Sequence, residues 1–263
     1  MYHREPRRSL LDPEVRRRGI YLLPNLFTTA ALFAGFFSIV QAMDGRFEIA
    51  SIAIFIAMVL DALDGRVARL TRTQSAFGAE YDSLSDMVSF GAAPALVIYE
   101  WALRSMGRLG WLAAFVYCAG AALRLARFNT QLGTADKRYF QGLPSPAAAA
   151  LIAGLVWVMH AEYQAKGVDI RWAAWCVTLF AGLSMVSSVR FYSFKDLNLR
   201  RSVPFWAILL IVLGFVVLTL DQARVLFGLF FAYALSGYVI WAREAWVRRR
   251  QKGRSRAPVD PTT

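Results

Sequence analysis

Long apolar stretches dominate this chain, separated by short polar breaks. They run over about residues 22–43, 47–70, 80–103, 109–129, 145–164, 172–190, 203–220 and 224–245. Most approach the ~20 residues at which a helix rising ~1.5 Å per residue crosses a ~30 Å hydrocarbon layer. The breaks carry turn and charge signals: Asp44-Gly45-Arg46, Met106-Gly107-Arg108, Lys166-Gly167 and Lys195-Asp196-Leu197-Asn198. Backbone in lipid must satisfy its own hydrogen bonds, so such stretches form helices. The pattern predicts an all-α, polytopic membrane helical bundle of about eight transmembrane helices. One membrane domain, 20–245, lies between a basic juxtamembrane segment, 1–19, and a basic tail, 246–263. The first segment suits a short interfacial helix, with Leu10, Leu11 and Val15 as part of an apolar face. The tail is polar and contains proline, and is expected to be disordered. The N-terminus is too polar, and its first apolar run too long, for a cleaved signal peptide.

Composition agrees with lipid as the solvent. The chain is 57% hydrophobic and only 18% charged, against about 25% charged in soluble domains. A net charge of +12 would point to nucleic acid in a soluble protein. Here its distribution explains it instead. With eight spans, 24 of the 30 Lys and Arg fall on the side that holds both termini, the 65–85 turn and the 124–144 and 190–202 loops. The positive-inside rule makes that side cytoplasmic, which predicts a cytoplasmic (inner) membrane protein and no nucleic-acid partner. Cys118 and Cys176 lie alone within apolar stretches and read as small hydrophobes.

The stretch from Asp61 to Asp86 carries the chemistry. Asp61 and Asp64 are spaced i, i+3 on one helix, and Asp82 and Asp86 are spaced i, i+4 on the next, so each pair shares a face. A short polar turn, about 71–77, joins the two helices. Asp61 lies roughly 20 Å along a span that starts near residue 47, close to the cytoplasmic boundary. Asp82 and Asp86 re-enter at similar depth, so two helices can aim four carboxylates at one point. Acids in a membrane are costly and mark function. Oxygen-only ligands suit Mg²⁺ or Mn²⁺, and two such ions would clamp a diphosphate. Gly65 and Gly78 leave room for a phosphate or nucleotide beside the acids, and Arg69 can pair with phosphate. The bland alternative is a set of interfacial aspartates paired with Arg66, Arg69 and Arg72.

These residues fit the signature of the CDP-alcohol phosphotransferase family, D-x-x-D-G-x-x-A-R followed by eight residues and G-x-x-x-D-x-x-x-D. Asp61, Asp64, Gly65, Ala68, Arg69, Gly78, Asp82 and Asp86 occupy every specified position. The resemblance implies a six-helix catalytic core with a site open to the cytoplasm. It implies that Asp61, Asp64 and Asp82 ligate divalent metal. It places Asp86 by the metals as general base, and Gly65, Arg69 and Gly78 along the CDP moiety. Homodimers are common in that family. Further stretches are similar to its bacterial and archaeal phosphatidylserine synthase branch: Leu23-Pro24-Asn25-Leu26-Phe27-Thr28, Gly35-Phe36-Phe37-Ser38-Ile39, Arg124-Leu125-Ala126-Arg127-Phe128-Asn129, Gly142-Leu143-Pro144-Ser145-Pro146 and Val189-Arg190-Phe191-Tyr192-Ser193-Phe194-Lys195. That branch joins CDP-diacylglycerol to L-serine, with lipid tails in the bilayer.

Several of these residues carry two readings. Asn25 either caps the first span or contacts nucleotide. Pro144 and Pro146 suit the first turn of a helix. Arg127, Asn129 and Arg190 are candidates to bind the acceptor, although Arg124, Arg127, Arg190 and Lys195 also serve as positive-inside charges. Another acceptor (glycerol 3-phosphate, inositol or choline) fits the same signature, and a phosphorylated one could use Arg124, Arg127 and Arg190. A cation transporter would use the aspartates differently, but transporters favour midplane sites, broken helices and repeats. These aspartates lie toward one face, and no repeat is evident.

Overall fold

The computed structural model describes residues 13–71, 75–131, 139–192 and 205–254. Nine α-helices make up most of them: α1 (Pro13–Met43), α2 (Phe47–Thr71), α3 (Ala76–Asp86), α4 (Ala93–Ile98), α5 (Arg108–Gln131), α6 (Ser145–Trp157), α7 (Arg171–Val186), α8 (Phe205–Leu220) and α9 (Gln222–Arg254). Among the described residues, four segments are long and apolar enough to cross a membrane, Pro24–Met43, Arg108–Thr130, Ser145–Glu162 and Gln222–Arg243, with α7 shorter but also apolar. Large apolar side chains such as Phe33, Phe36, Phe115, Leu213 and Phe215 are exposed on the outside. That outward apolar surface is the pattern of an all-α membrane protein.

α6 sits at the centre. Within its span 72% of residues are buried, against 11% for α9 at the periphery. Small side chains explain why it can be surrounded. Ala147, Ala148, Ala149, Ala150 and Ala153 let α2, α4, α7 and α9 approach closely. At Gly154 an added Cβ would lie 3.1 Å from the Cα of Phe227 on α9. α5 and α7 meet in the same way at Gly120 and Gly182.

The third pass differs from the single helix expected over 80–103. It begins at Ala76 and widens into a π-helical turn at Met87–Ala92, directly after Asp86, and again at Tyr99–Leu103. Pro94 accounts for the first widening, because it has no N–H to give the carbonyl of Phe90 and its ring crowds that carbonyl. The freed oxygen is not left bare: Tyr117 Oη, from α5, donates to it at 3.0 Å.

Two short strands, β1 (Tyr139–Gln141) and β2 (Arg190–Tyr192), form an antiparallel ribbon in which Phe140 faces Phe191 and Gln141 faces Arg190. Arg190 was expected at the end of the sixth span; instead that helix stops at Val186 and Arg190 lies in the ribbon. Gly142, at φ 78°, makes the turn from β1 into α6, with its N–H on Val189 O at 2.9 Å. Phe191 is fully buried against Tyr233 and Tyr238 of α9. Gly237 makes the space, since a Cβ there would collide with the Phe191 ring.

α9 continues as helix to Arg254, so the Arg248-Arg249-Arg250 run is helical rather than disordered. Most of the proposed 1–19 segment, residues 255–263, Arg72, and the Ser193-Phe194-Lys195 end of one motif lie outside the described residues.

Candidate active site

The third pass turns two different faces to α1 and α2. Ser85 Oγ donates to Thr28 O and Ser89 Oγ to Ala31 O, each at 3.1 Å. Tyr81 Oη meets Thr29 Oγ1 at 2.9 Å. The positions 81, 85 and 89 therefore zip onto α1. Gly35 permits the approach, because a Cβ there would come within 2.5 Å of Ser89 Oγ. The neighbouring acids, Asp82 and Asp86, are then left facing α2. Ser75 starts α3 by accepting the Gly78 N–H at 3.0 Å on its Oγ, an ordinary N-cap.

Asp61 and Asp64 complete the convergence from α2. Carboxylate oxygens of Asp61, Asp64 and Asp82 all lie within 4.8 Å of one another. Asp86 joins through Asp61, whose side chain also meets Asp82, and Asp82 in turn meets Asp64. The structure thus brings together all four predicted acids. Asp64 is 5% exposed, and its Oδ2 accepts from Thr28 Oγ1 at 2.7 Å. Among the described residues no ion pair links these acids to Arg66 or Arg69, so the arginine-paired alternative finds no support there.

Four carboxyl groups at this separation repel unless a cation or protons intervene. Asp82 Oδ1 is buried with no hydrogen-bond partner. An orphaned acceptor amid hard oxygen donors is what a divalent cation would satisfy. The acidic cluster therefore fits a metal ion.

The predicted nucleotide-side residues flank this point. A Cβ on Gly78 would lie 3.1 Å from Ser75 Oγ and 3.5 Å from Asn25 Oδ1, so Asn25 stands beside Gly78 and the start of α3. Arg69 folds back toward Gly65, with Nη1 3.9 Å from where a Cβ would stand. On the opposite side, Asn129 Nδ2 donates to Ser83 Oγ at 3.0 Å, and Arg127 Nη1 to Val186 O at 3.2 Å. Arg190 is exposed on the ribbon. Thr28 had no assigned place in the site, and Arg124 had one only as part of a pocket for a phosphorylated acceptor. Both sit in quoted motifs, but only the packing shows that Thr28 touches Asp64 and that Arg124 lies within electrostatic reach of Asp86.

The model of the CDP-alcohol phosphatidyltransferase family matches residues 21–183. The chain belongs to the CDP-alcohol phosphatidyltransferase family. The matched region holds α1 through most of α7, hence the four aspartates and every flanking residue except Arg190. Among curated relatives, a CDP-diacylglycerol–serine O-phosphatidyltransferase of Helicobacter pylori is 37% identical over 221 residues, covering 84% of this chain and 92% of that one. A protein of the same name from Mycobacterium leprae is 41% identical over 150 residues, covering 55% and 50%. Another from Methanocaldococcus jannaschii is 38% identical over 143 residues, covering 54% and 63%. The β2 strand, α8 and α9 lie beyond the family match.

Proposed function

We propose that this family member transfers the phosphatidyl group of CDP-diacylglycerol to the hydroxyl of L-serine, giving phosphatidylserine and CMP. The observation that carries the reading is the convergence of Asp61, Asp64 and Asp82, with Asp86 against Asp61. The shared name of the relatives supports serine as the acceptor.

Asp61, Asp64 and Asp82 would hold Mg²⁺ or Mn²⁺, in the family's manner two ions, with Asp86 beside them. Bound metal supplies charge neutralisation for the diphosphate and for departing CMP. This chain's own groups do the rest. Asn25, Gly65, Arg69 and Gly78 border the CDP moiety, where Gly65 and Gly78 keep its path free of side chains. Asp86 accepts the serine hydroxyl proton. The serine oxygen then bonds to the β-phosphorus as the bond from that phosphorus to the CMP oxygen breaks, and CMP carries off the electron pair. The acceptor enters from the side of Arg127, Asn129 and Arg190. Thr28 holds Asp64 in its rotamer throughout, and the zipper of Ser85 and Ser89 onto α1 fixes α3.

The reading includes an eight-pass topology in the cytoplasmic membrane, a six-helix catalytic core, and the site and both termini facing the cytoplasm. α7 and α8, at 16 residues each, rise about 24 Å, enough to cross most of the hydrocarbon layer. It also carries the family's homodimeric state, checked by the mass of the solubilised protein. The decisive experiment is an acceptor panel. Purified protein with CDP-diacylglycerol and Mg²⁺ or Mn²⁺ should release CMP with serine. Release with glycerol 3-phosphate or inositol but not serine would overturn the acceptor and leave the family unchanged.

A further inference from the structure

Asp86 is the last residue of α3 before the π-helical turn Met87–Ala92. The side chain read as the proton acceptor thus stands at the junction of a regular helix and a widened one. Beyond the turn the chain is locked in the core, with Ala93, Val97 and Ile98 fully buried. The extra residue in the turn sets how α3 is rotated about its axis relative to that buried half. Such turns inside α-helices are rare and concentrate at functional sites.

Pro94 gives the widening a cause but leaves the carbonyl of Phe90 without the N–H four residues on. Tyr117 Oη supplies the missing donor at 3.0 Å, and both residues are fully buried. A phenylalanine would fill the same space, but a buried carbonyl with no partner is unfavourable. The phenol is also held in place. α7 backs α5 at this level, where a Cβ on Gly182 would lie 2.8 Å from the Cα of Tyr117. Gly91 brings the turn itself onto α5, since a Cβ there would lie 3.3 Å from the Cβ of Ala121. Tyr117 is therefore a strut between α5 and the turn that follows Asp86.

We propose that Tyr117 is a positioning residue for the transfer, its hydroxyl holding the π-helical turn open and so aiming Asp86 at the acceptor. The inference rests on the reading of Asp86 as proton acceptor. Without the hydroxyl, the orphaned carbonyl draws the turn toward regular helical geometry. The buried half has no room to rotate, so the change falls on Asp86. A base must stand within hydrogen-bond reach of the proton it takes, and a displacement of about 1 Å can cost about a hundredfold in rate. Asp61 and Asp64 stand on α2, and Asp82 lies a full turn before the widening, so metal and donor binding stay as they are. The loss then appears in kcat and not in KM.

The test uses full-length protein in mixed lipid–detergent micelles, with CMP release, thermal melts and isothermal titration of CDP-diacylglycerol in Mg²⁺. Ser38→Ala is the matched control, because Ser38 Oγ is fully buried and donates to Ala50 O across α1 and α2 at 2.7 Å. Both Tyr117→Phe and Ser38→Ala should melt earlier than wild type. Only Tyr117→Phe should lower kcat, by about ten- to hundredfold, with donor binding, the serine KM and the half-saturating Mg²⁺ concentration unchanged. Tyr117→p-aminophenylalanine keeps a donor at the same place on the ring and should recover most of kcat. An unchanged kcat in folded Tyr117→Phe overturns the inference. So does an equal fall in Ser38→Ala, a raised metal requirement, or no recovery with the amine. If Tyr117→Phe does not fold, Pro94→Ala decides: its new N–H competes for Phe90 O and tightens the turn, so kcat should fall, and an unchanged kcat overturns the inference. Near-normal turnover in Asp86→Asn would instead remove the reading beneath it, and is seen without any change at Tyr117.

Discussion

Thr28 on α1 donates its Oγ1 hydrogen to Asp64 Oδ2 on α2 at 2.7 Å. The same residue accepts Ser85 Oγ of α3 on its backbone carbonyl at 3.1 Å. One small polar residue thus ties together the three helices that build the acidic cluster. A hydroxyl bonded to a carboxylate fixes which oxygen of Asp64 remains available on the other side.

Removing that bond should loosen the cluster without removing any acid. Thr28→Val keeps the shape and deletes the donor, so it should forfeit about 1.5–3 kcal/mol. The half-saturating Mg²⁺ or Mn²⁺ concentration for CMP release should then rise about ten- to hundredfold. Thr28→Ser restores the hydroxyl and should recover most of the loss. A Thr28→Val enzyme with an unaltered metal requirement would show that Asp64 is held by other means.

The four acids should separate into two classes on mutation. Asp86→Asn removes the proposed proton acceptor and should abolish turnover while largely retaining metal-dependent binding of CDP-diacylglycerol. Asp61→Asn or Asp82→Asn should weaken metal and donor binding together, because those oxygens converge with Asp64. Isothermal titration of metal and donor, run beside CMP release, distinguishes the classes. Near-normal turnover in Asp86→Asn would remove it as the base.

Packing predicts a contrast between two glycines in helices. A Cβ at Gly120 would stand 2.5 Å from Gly182 O, whereas a Cβ at Gly214 meets nothing within 4 Å. Gly120→Ala must push α5 away from α7 and should cost about 1–3 kcal/mol, the usual range for overpacking. Gly214→Ala relieves helix entropy on an open face and should be neutral or stabilising by up to about 1 kcal/mol. Thermal melts in detergent, with wild type alongside, should move in those directions.

The acidic site was legible in the sequence because its information is local. Asp61 with Asp64, and Asp82 with Asp86, are pairs within single helices, and helix periodicity alone puts each pair on one face. What remained illegible depends on contacts between distant segments. The Thr28–Asp64 bond joins residues 36 positions apart, and the Arg124–Ser145 bond crosses a loop. The ribbon has three-residue strands, too short for an alternating pattern to register. The π-helical turn at Met87–Ala92 followed from Pro94, visible in the sequence, but its tolerance depended on Tyr117 reaching Phe90 O from another helix. Apolar runs likewise announced membrane helices, while helix ends were set by side chains such as the Ser75 cap.

The charge pattern and the fold make a joint prediction about sidedness. At one end of the bundle lie the end of α2, the start of α3, the end of α5, the start of α6 and the ribbon, since Ser83 meets Asn129 and Arg124 meets Ser145. At the other end Arg224 pairs with Glu162 at 3.0 Å, and Gly167 packs against the backbone at Trp101. Arg66, Arg69, Arg124, Arg127 and Arg190, all counted on the expected cytoplasmic side, belong to the first end, and positive charge near span ends is retained in the cytoplasm. In a background lacking Cys118 and Cys176, single cysteines introduced as Val168→Cys and Asn198→Cys report the two sides. A membrane-impermeant maleimide should label position 168 in intact cells or spheroplasts, and position 198 only after permeabilisation. Labelling at 198 but not at 168 from outside would invert the topology. It would also put the aspartates out of reach of CDP-diacylglycerol headgroups in the cytoplasmic leaflet, and so would count against the proposed reaction.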